Sequence, residues 1–126
     1  MRRALLLLLI VVAGCSTDSA EPRLRKYFAL PAGISSDTLA LSTAILEQLQ
    51  RGTPEDQIAA TLKSRGVGRD SLSRYYPPTD NDTGIVRVEH DSRDANIVLK
   101  SYGVKLVFDS NRKLSSVTVS EWLTGP

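Results

Sequence analysis

The sequence predicts an α+β fold: two helices packed on a three- or four-stranded antiparallel sheet, in two layers. Three observations carry this. Leu41, Ile45 and Leu49 recur every four residues, and Ile58, Ala59 and Leu62 form a second apolar stripe, the period of a half-buried helix. From Gly84 the period changes to two, with Val104, Leu106 and Phe108 on one face, the mark of a half-buried strand. The order is helix, helix, strands, with no return to helix, which gives a segregated layer rather than an alternating α/β fold. The 126 residues suffice for one small domain and not for two.

The first helix is expected over Asp37–Arg51, with Ser35, Ser36 and Asp37 as N-cap candidates and Gly52 as its stop. A second follows at once. Thr53 is its expected N-cap, and Pro54 suits the first helical position, where no donor is needed. Glu55 and Asp56 sit where the helix dipole favours negative charge, and Gly66 closes the helix behind Lys63 and Arg65. Residues 66–83 read as the longest loop, with Pro77-Pro78 and the polar run Thr79–Thr83. Tyr75 and Tyr76 precede the prolines. They are candidate partner contacts, because aromatics anchor interfaces; the alternative is that they cover the core edge.

Ile85–Glu89, Asn96–Ser101 and Val104–Phe108 read as strands, with Gly103 as a bulge or turn between the last two. Asp109–Lys113 is the hairpin turn. Leu114–Trp122 is the final strand, with Val117 and Val119 inward and Trp122 capping the sheet edge.

Sixteen Lys and Arg against fourteen Asp and Glu argue against nucleic-acid binding through a broad basic face. The single Cys excludes an internal disulfide and any multi-cysteine zinc site. The single His excludes a three-histidine metal site.

Arg2 and Arg3 form a basic start, followed by the unbroken apolar run Ala4–Ala13. Ten residues are too few to span a bilayer, which takes roughly 20. A short apolar run behind a basic start describes an export signal. The run ends in Val12-Ala13-Gly14-Cys15. This resembles the lipobox of bacterial lipoproteins: an aliphatic residue, two small residues, then a cysteine. The resemblance implies a diacylglycerol on the Cys15 thiol, cleavage between Gly14 and Cys15, and acylation of the new amine. Two or three acyl chains hold a protein at a membrane essentially permanently. Losing residues 1–14 removes Arg2 and Arg3, so fourteen basic side chains then face fourteen acidic ones. Ser16, rather than Asp, follows the cysteine. By resemblance to the Gram-negative sorting pattern this favours the outer membrane, facing the periplasm. In a Gram-positive cell the same signal leaves the protein outside the plasma membrane. Residues 15–33 read as a lipid-anchored flexible tether, within which Arg23, Arg25 and Lys26 face solvent or lipid head groups and Tyr27–Leu30 form a short extended arm. The globular domain is expected over 34–126.

No pattern for catalysis emerges. His90 lies in Glu89-His90-Asp91, but neighbours along a strand point to opposite faces and make no dyad. A nucleophile elbow, a phosphate loop and metal-ligand spacing are all missing from the sequence. Asp80, Asn81 and Asp82 lack the Glu that closes a calcium loop. No cofactor, metal or catalytic residue is expected.

The segments 49–58, LQRGTPEDQI, and 104–114, VKLVFDSNRKL, resemble the SmpA/OmlA family of small outer-membrane assembly lipoproteins over roughly residues 45–120. The resemblance implies two helices on a three-stranded sheet and an accessory role in β-barrel insertion. It departs after Leu62, where Lys63-Ser64-Arg65-Gly66 replaces the family's Leu-Gly-x-Pro, and no contact residue is carried over. The expectation is therefore a non-catalytic, membrane-anchored envelope lipoprotein that binds another envelope protein through a sheet edge or the Tyr75-Tyr76 loop. The alternative is a small inhibitor or immunity-type lipoprotein, whose loop 66–83 blocks a hydrolase cleft.

Overall fold

The apolar periods read above settle into two layers, with one helix more than they announce and four strands, the upper of the two expected numbers. A computed structural model describes residues 20–91 and 99–124. The order is α1 (Ala20–Tyr27), α2 (Thr38–Leu49), α3 (Glu55–Ser64), β1 (Ser73–Tyr76), β2 (Thr83–Val88), β3 (Leu99–Phe108) and β4 (Leu114–Thr124). The strands form one antiparallel meander in the order β1-β2-β3-β4. All the helices contribute to one core against a single sheet face. Leu24, Phe28, Leu41, Ile45, Ile58 and Leu62 meet Val86, Val88, Tyr102, Val104, Leu106 and Phe108 there. The fold is α+β, as the two periods predict.

The start of the domain corrects the sequence reading. Residues 20–33 are not a tether. Ala20, Leu24, Tyr27 and Phe28 are spaced by four, three and one, and all four are buried. Pro22 does not prevent this, since it lies in the first turn, where helical N–H groups lack partners anyway. The basic residues are partly used internally rather than left for head groups. Arg23 donates to the carbonyls of Leu72 (3.2 Å) and Glu89, and Arg25 to the Ile34 carbonyl (2.8 Å) and the Glu21 carboxylate (3.0 Å). Tyr27–Leu30 is the end of this helix rather than an extended arm: the Leu30 N–H donates to the Arg25 carbonyl at 3.0 Å.

Glu21 pins α1 to its surroundings. Its carboxylate accepts from Ser36 Oγ (2.6 Å) and the Tyr102 hydroxyl (3.2 Å) besides Arg25. Burial raises its pKa, but the Ser36 and Arg25 hydrogen bonds, the Arg25 charge and Tyr102 outweigh it, so the carboxyl titrates below its ordinary value of 4.5. A depressed carboxyl stabilises the fold above its unfolded pKa, and that contribution fades as pH falls through the folded one. Urea midpoints of the wild type should therefore decline below pH 4.5 more steeply than those of Glu21→Gln. Parallel midpoint curves would show that Glu21 contributes nothing to the acid dependence.

The corner between α2 and α3 is built differently from the expected side-chain cap. Asp37 does cap α2, accepting from the Ala40 N–H at 3.3 Å. Thr53, however, is not the N-cap of α3; Pro54 holds that position without a side-chain bond. The Thr53 hydroxyl donates back to the Leu49 carbonyl at 2.7 Å. The free helix-start N–H of Glu55 donates instead to the Arg112 carbonyl (2.9 Å), while Gly52 N–H reaches Leu114 O (2.8 Å) and Leu114 N–H reaches Thr53 O (2.9 Å). The corner is thus stitched to the β3–β4 hairpin turn by main chain, and a β-bridge joins Pro54 to Lys113.

The long edge strand β4 is shielded at one donor in its middle. Its Val119 N–H donates to Ser42 Oγ of α2 at 2.8 Å in a buried site, while the Ser42 hydroxyl donates to the Thr38 carbonyl at 2.7 Å. Shielding an edge donor in this way blocks pairing with a foreign strand. Ser42→Ala should leave that N–H buried and unpaired, lowering stability by about 1–3 kcal/mol. A loss under a few tenths of a kcal/mol in a urea titration would show that water reaches the edge there.

Gly103 is neither turn nor bulge. It lies within the continuous strand β3, and the irregularity of the ladder falls between Val107 and Phe108 instead. Of the expected run Asn96–Ser101, residues 96–98 lie outside the described residues.

Candidate functional site

Residues 66–83 are not one long loop, because they contain the edge strand β1. Tyr75 and Tyr76 are neighbours on that strand and so point to opposite faces. Tyr76 pairs with Ile85 on the outer face and is exposed. Tyr75 turns inward against the core. Its ring lies over Gly84, where an added Cβ would sit 3.0 Å from Tyr75 Cε1 and 3.2 Å from Pro78 Cδ. A side chain at residue 84 would push the Tyr75 ring and Pro78 aside by a few tenths of an ångström. The Tyr75 hydroxyl donates to Glu55 Oε2 at 3.4 Å, and Arg112 holds Glu55 from the other side at 3.0 Å. Burial, then the Glu55 charge, raises the phenol pKa, so Tyr75 stays a neutral donor. The two tyrosines therefore do not form a joint contact patch.

The edge of β1 is open at Tyr75 but shielded at Ser73, which is buried with its Oγ accepting from the Gly68 N–H at 3.1 Å. Glu89 N–H donates to Leu72 O at 2.8 Å. Hydrogen-bonded pairs alternate along an antiparallel ladder, so Arg74/Arg87 and Tyr76/Ile85 are the next bonded pairs. The N–H and C=O of Ser73 and Tyr75 then point away from β2. Between this edge and α3 runs a groove of about 530 Å³, lined among others by Ala59, Leu62, Val67, Tyr75 and Pro77, with Glu55, Lys63 and Arg74 at its rim. The groove has an apolar floor beside a strip of main chain that can pair.

The outer sheet face is the second surface. By register, Tyr76, Ile85, Lys105 and Thr118 form one row and Arg74, Arg87, Gly103 and Ser120 the next, with Trp122 one step beyond. Trp122 does not cap the edge as expected; it lies on this face over Gly103, where an added Cβ would meet its ring at 3.4 Å. The missing side chain lets Arg87 reach across, placing its guanidinium 5.3 Å from the indole centroid, a cation–π distance. Arg74 stands likewise 5.7 Å from the Tyr76 ring. Ile85, Arg87, Lys105 and Trp122 border a shallow hollow of about 440 Å³ floored by Gly103. Among the described residues no helix covers this face.

The other candidates stay local. His90 donates its N–H to Ser101 Oγ at 3.1 Å, and its Nδ1 lies 3.0 Å from the same oxygen. Asn81 and Asp82 bind Thr83, the former through its N–H and the latter through its hydroxyl, both at 3.1 Å, which closes a turn. Among the described residues, no group of three or more His, Cys, Asp or Glu is placed to hold a metal ion. Gly14 and Cys15 lie outside the described residues, and no described helix is long and apolar enough to cross a membrane.

Sequence reasoning named Tyr75, Tyr76 and the sheet edge but missed the outer face. The signal was present as Arg74, Arg87 and Lys105 at outward positions of three strands. It needs the register to become a patch. Comparisons with protein families, curated proteins and solved structures return no match.

Proposed function

We propose that this protein is a non-catalytic envelope lipoprotein, anchored by lipid on Cys15, whose domain takes up an extended segment of another envelope protein along the open edge of β1. The observation that carries this is the outward-facing main chain at Tyr75 beside the adjoining apolar groove. Strand addition draws affinity from main-chain bonds and specificity from side-chain pockets beside the edge. The turn before β1 shields Ser73, whose Oγ accepts from the Gly68 N–H at 3.1 Å, so the strand would add along the Tyr75 end of this edge. The lipobox resemblance supplies the location, outer membrane facing the periplasm in a Gram-negative cell. The SmpA/OmlA resemblance fits an assembly-accessory role, and its two segments are the ones joined at the Pro54–Lys113 bridge.

The inhibitor reading draws less support. It needs a protruding loop, and β1 absorbs the middle of residues 66–83.

The test is a photo-crosslinking residue at Ala59, in the groove, with Arg51 as a distant control. Ala59 should capture one envelope protein in intact cells and Arg51 should not. No adduct at Ala59, or equal capture at both positions, refutes strand addition at β1.

A further inference from the structure

We propose that the outer sheet face rests on the anionic head groups of the membrane that holds the lipid anchor, with Trp122 in the interfacial layer. The inference rests on the Cys15 anchor proposed above and adds an orientation to it.

Charge is the first argument. Arg74, Arg87 and Lys105 lie on this face, and the one carboxylate sharing its alternation is Glu89, just past the end of β2 in the row of Trp122. The chain beyond Arg2 and Arg3 is otherwise balanced in charge, so a face with three cations against one carboxylate is a local segregation. Its complement is a negative surface.

Side-chain type is the second. Trp122, Tyr76 and Ile85 are interleaved with the cations and are 37%, 43% and 40% exposed. Leu123, at the same end of β4 as Trp122, is 59% exposed. Tryptophan and tyrosine favour the head-group layer, where one part of the ring is apolar and the other wet.

Reach is the third. Ala20 is already buried in the fold, so only residues 16–19 separate the anchor from the domain. Five residue steps span at most roughly 17 Å when fully extended. The chain enters the domain beside the Trp122 end of the sheet. Glu21 accepts from Tyr102 on the helix side of the sheet, Tyr102 pairs with Glu121, and Trp122 follows on the outer face. The anchor therefore keeps this end near the bilayer, and charge and side-chain type select the face. Each surface cation attracts an anionic leaflet only weakly, and a tether this short raises the effective concentration enough for weak attraction to orient the domain. Lying on this face leaves the β1 edge and its groove at the side, open to a neighbour.

Trp122 is the only tryptophan in the chain, which makes it a built-in probe. The natively processed protein is reconstituted into vesicles of phosphatidylcholine alone or mixed with phosphatidylglycerol. In the anionic vesicles its emission should shift to shorter wavelength, brominated lipid should quench it, and iodide quenching should fall several-fold. Arg87→Glu with Lys105→Glu, or raised salt on the unaltered protein, should restore the neutral-vesicle values; the salt arm does not depend on how the variant folds. Flotation separates the two ideas. Protein that floats with both vesicle types but keeps Trp122 equally open to iodide in each overturns the docked face and leaves the anchor standing. Protein that does not float overturns the anchor and the docking with it. Shielding that appears only when another envelope protein is added assigns the face to a protein partner and overturns the membrane assignment.

Discussion

Phe28→Ala is expected to destabilise the domain by about 3–5 kcal/mol, the usual range for emptying a buried phenylalanine site. Small domains have only about 5–15 kcal/mol of stability in all, so the variant should lose a large part of its urea resistance. Phe28 is fully buried, and its N–H still closes the last turn of α1 on the Leu24 carbonyl at 3.2 Å. Its neighbours in the core come from both layers, so local collapse cannot refill the space. The same substitution in a solvated tether would change stability by less than about 0.5 kcal/mol. The measurement is a urea titration of the chain lacking residues 1–15, which keeps every core residue among the described ones. A lower midpoint at unchanged slope places the loss in the folded state. A midpoint equal to wild type would return residues 20–33 to the status of a linker.

That stretch shows what was legible in the sequence and what was not. Ala20, Leu24, Tyr27 and Phe28 have helical spacing, yet the segment holds Pro22 and three basic residues and covers barely two turns. Isolated helices of this length are marginal, and packing decides whether they form. Composition pointed to a linker, and the tertiary partners Glu21–Tyr102 and Arg23–Leu72 decided otherwise. Local signals served better where a residue acts within its own turn. Asp37 as N-cap, the Asp109–Lys113 turn, and Val117 and Val119 inward all follow from near neighbours. Thr53 went wrong for the opposite reason. Its expected cap role was displaced by the Arg112 carbonyl, more than fifty residues away.

The candidate surfaces divide in the same way. Tyr75 and Tyr76 stood out as adjacent aromatics, but strand alternation sends one to the core and the other to the outer face. The outer basic patch is assembled from β1, β2 and β3, so it needs pairing register before it exists. The shielding of the two edges was equally hidden. Ser42 reads as a polar interruption in an apolar helix, and only the packed structure shows that it serves Val119. This bond shields the middle of the β4 edge at Val119, as the Gly68 N–H bond to Ser73 Oγ shields the start of β1.

Cys15→Ala should abolish the lipid entirely while leaving the fold untouched. The wild-type mature chain should begin at residue 15 and carry acyl mass. The variant has no thiol to become a thioether. It should keep its leader, show the mass of the unprocessed chain and fail to reach the outer membrane. The size of the effect follows from transfer energies. Each buried methylene contributes about 0.8 kcal/mol, so two or three chains hold a protein far more firmly than any surface patch on this domain. Stability should not change, because among the described residues the core is built from Ala20 to Val119 without residue 15. Equal urea midpoints with unequal membrane fractions would separate anchoring from folding, which a destabilising substitution such as Phe28→Ala cannot do. An alanine variant that is cut at residue 15 and sediments with the outer membrane would end the lipoprotein reading. The short-tether argument for the sheet face would end with it, since without acyl chains nothing holds Trp122 within reach of the head groups.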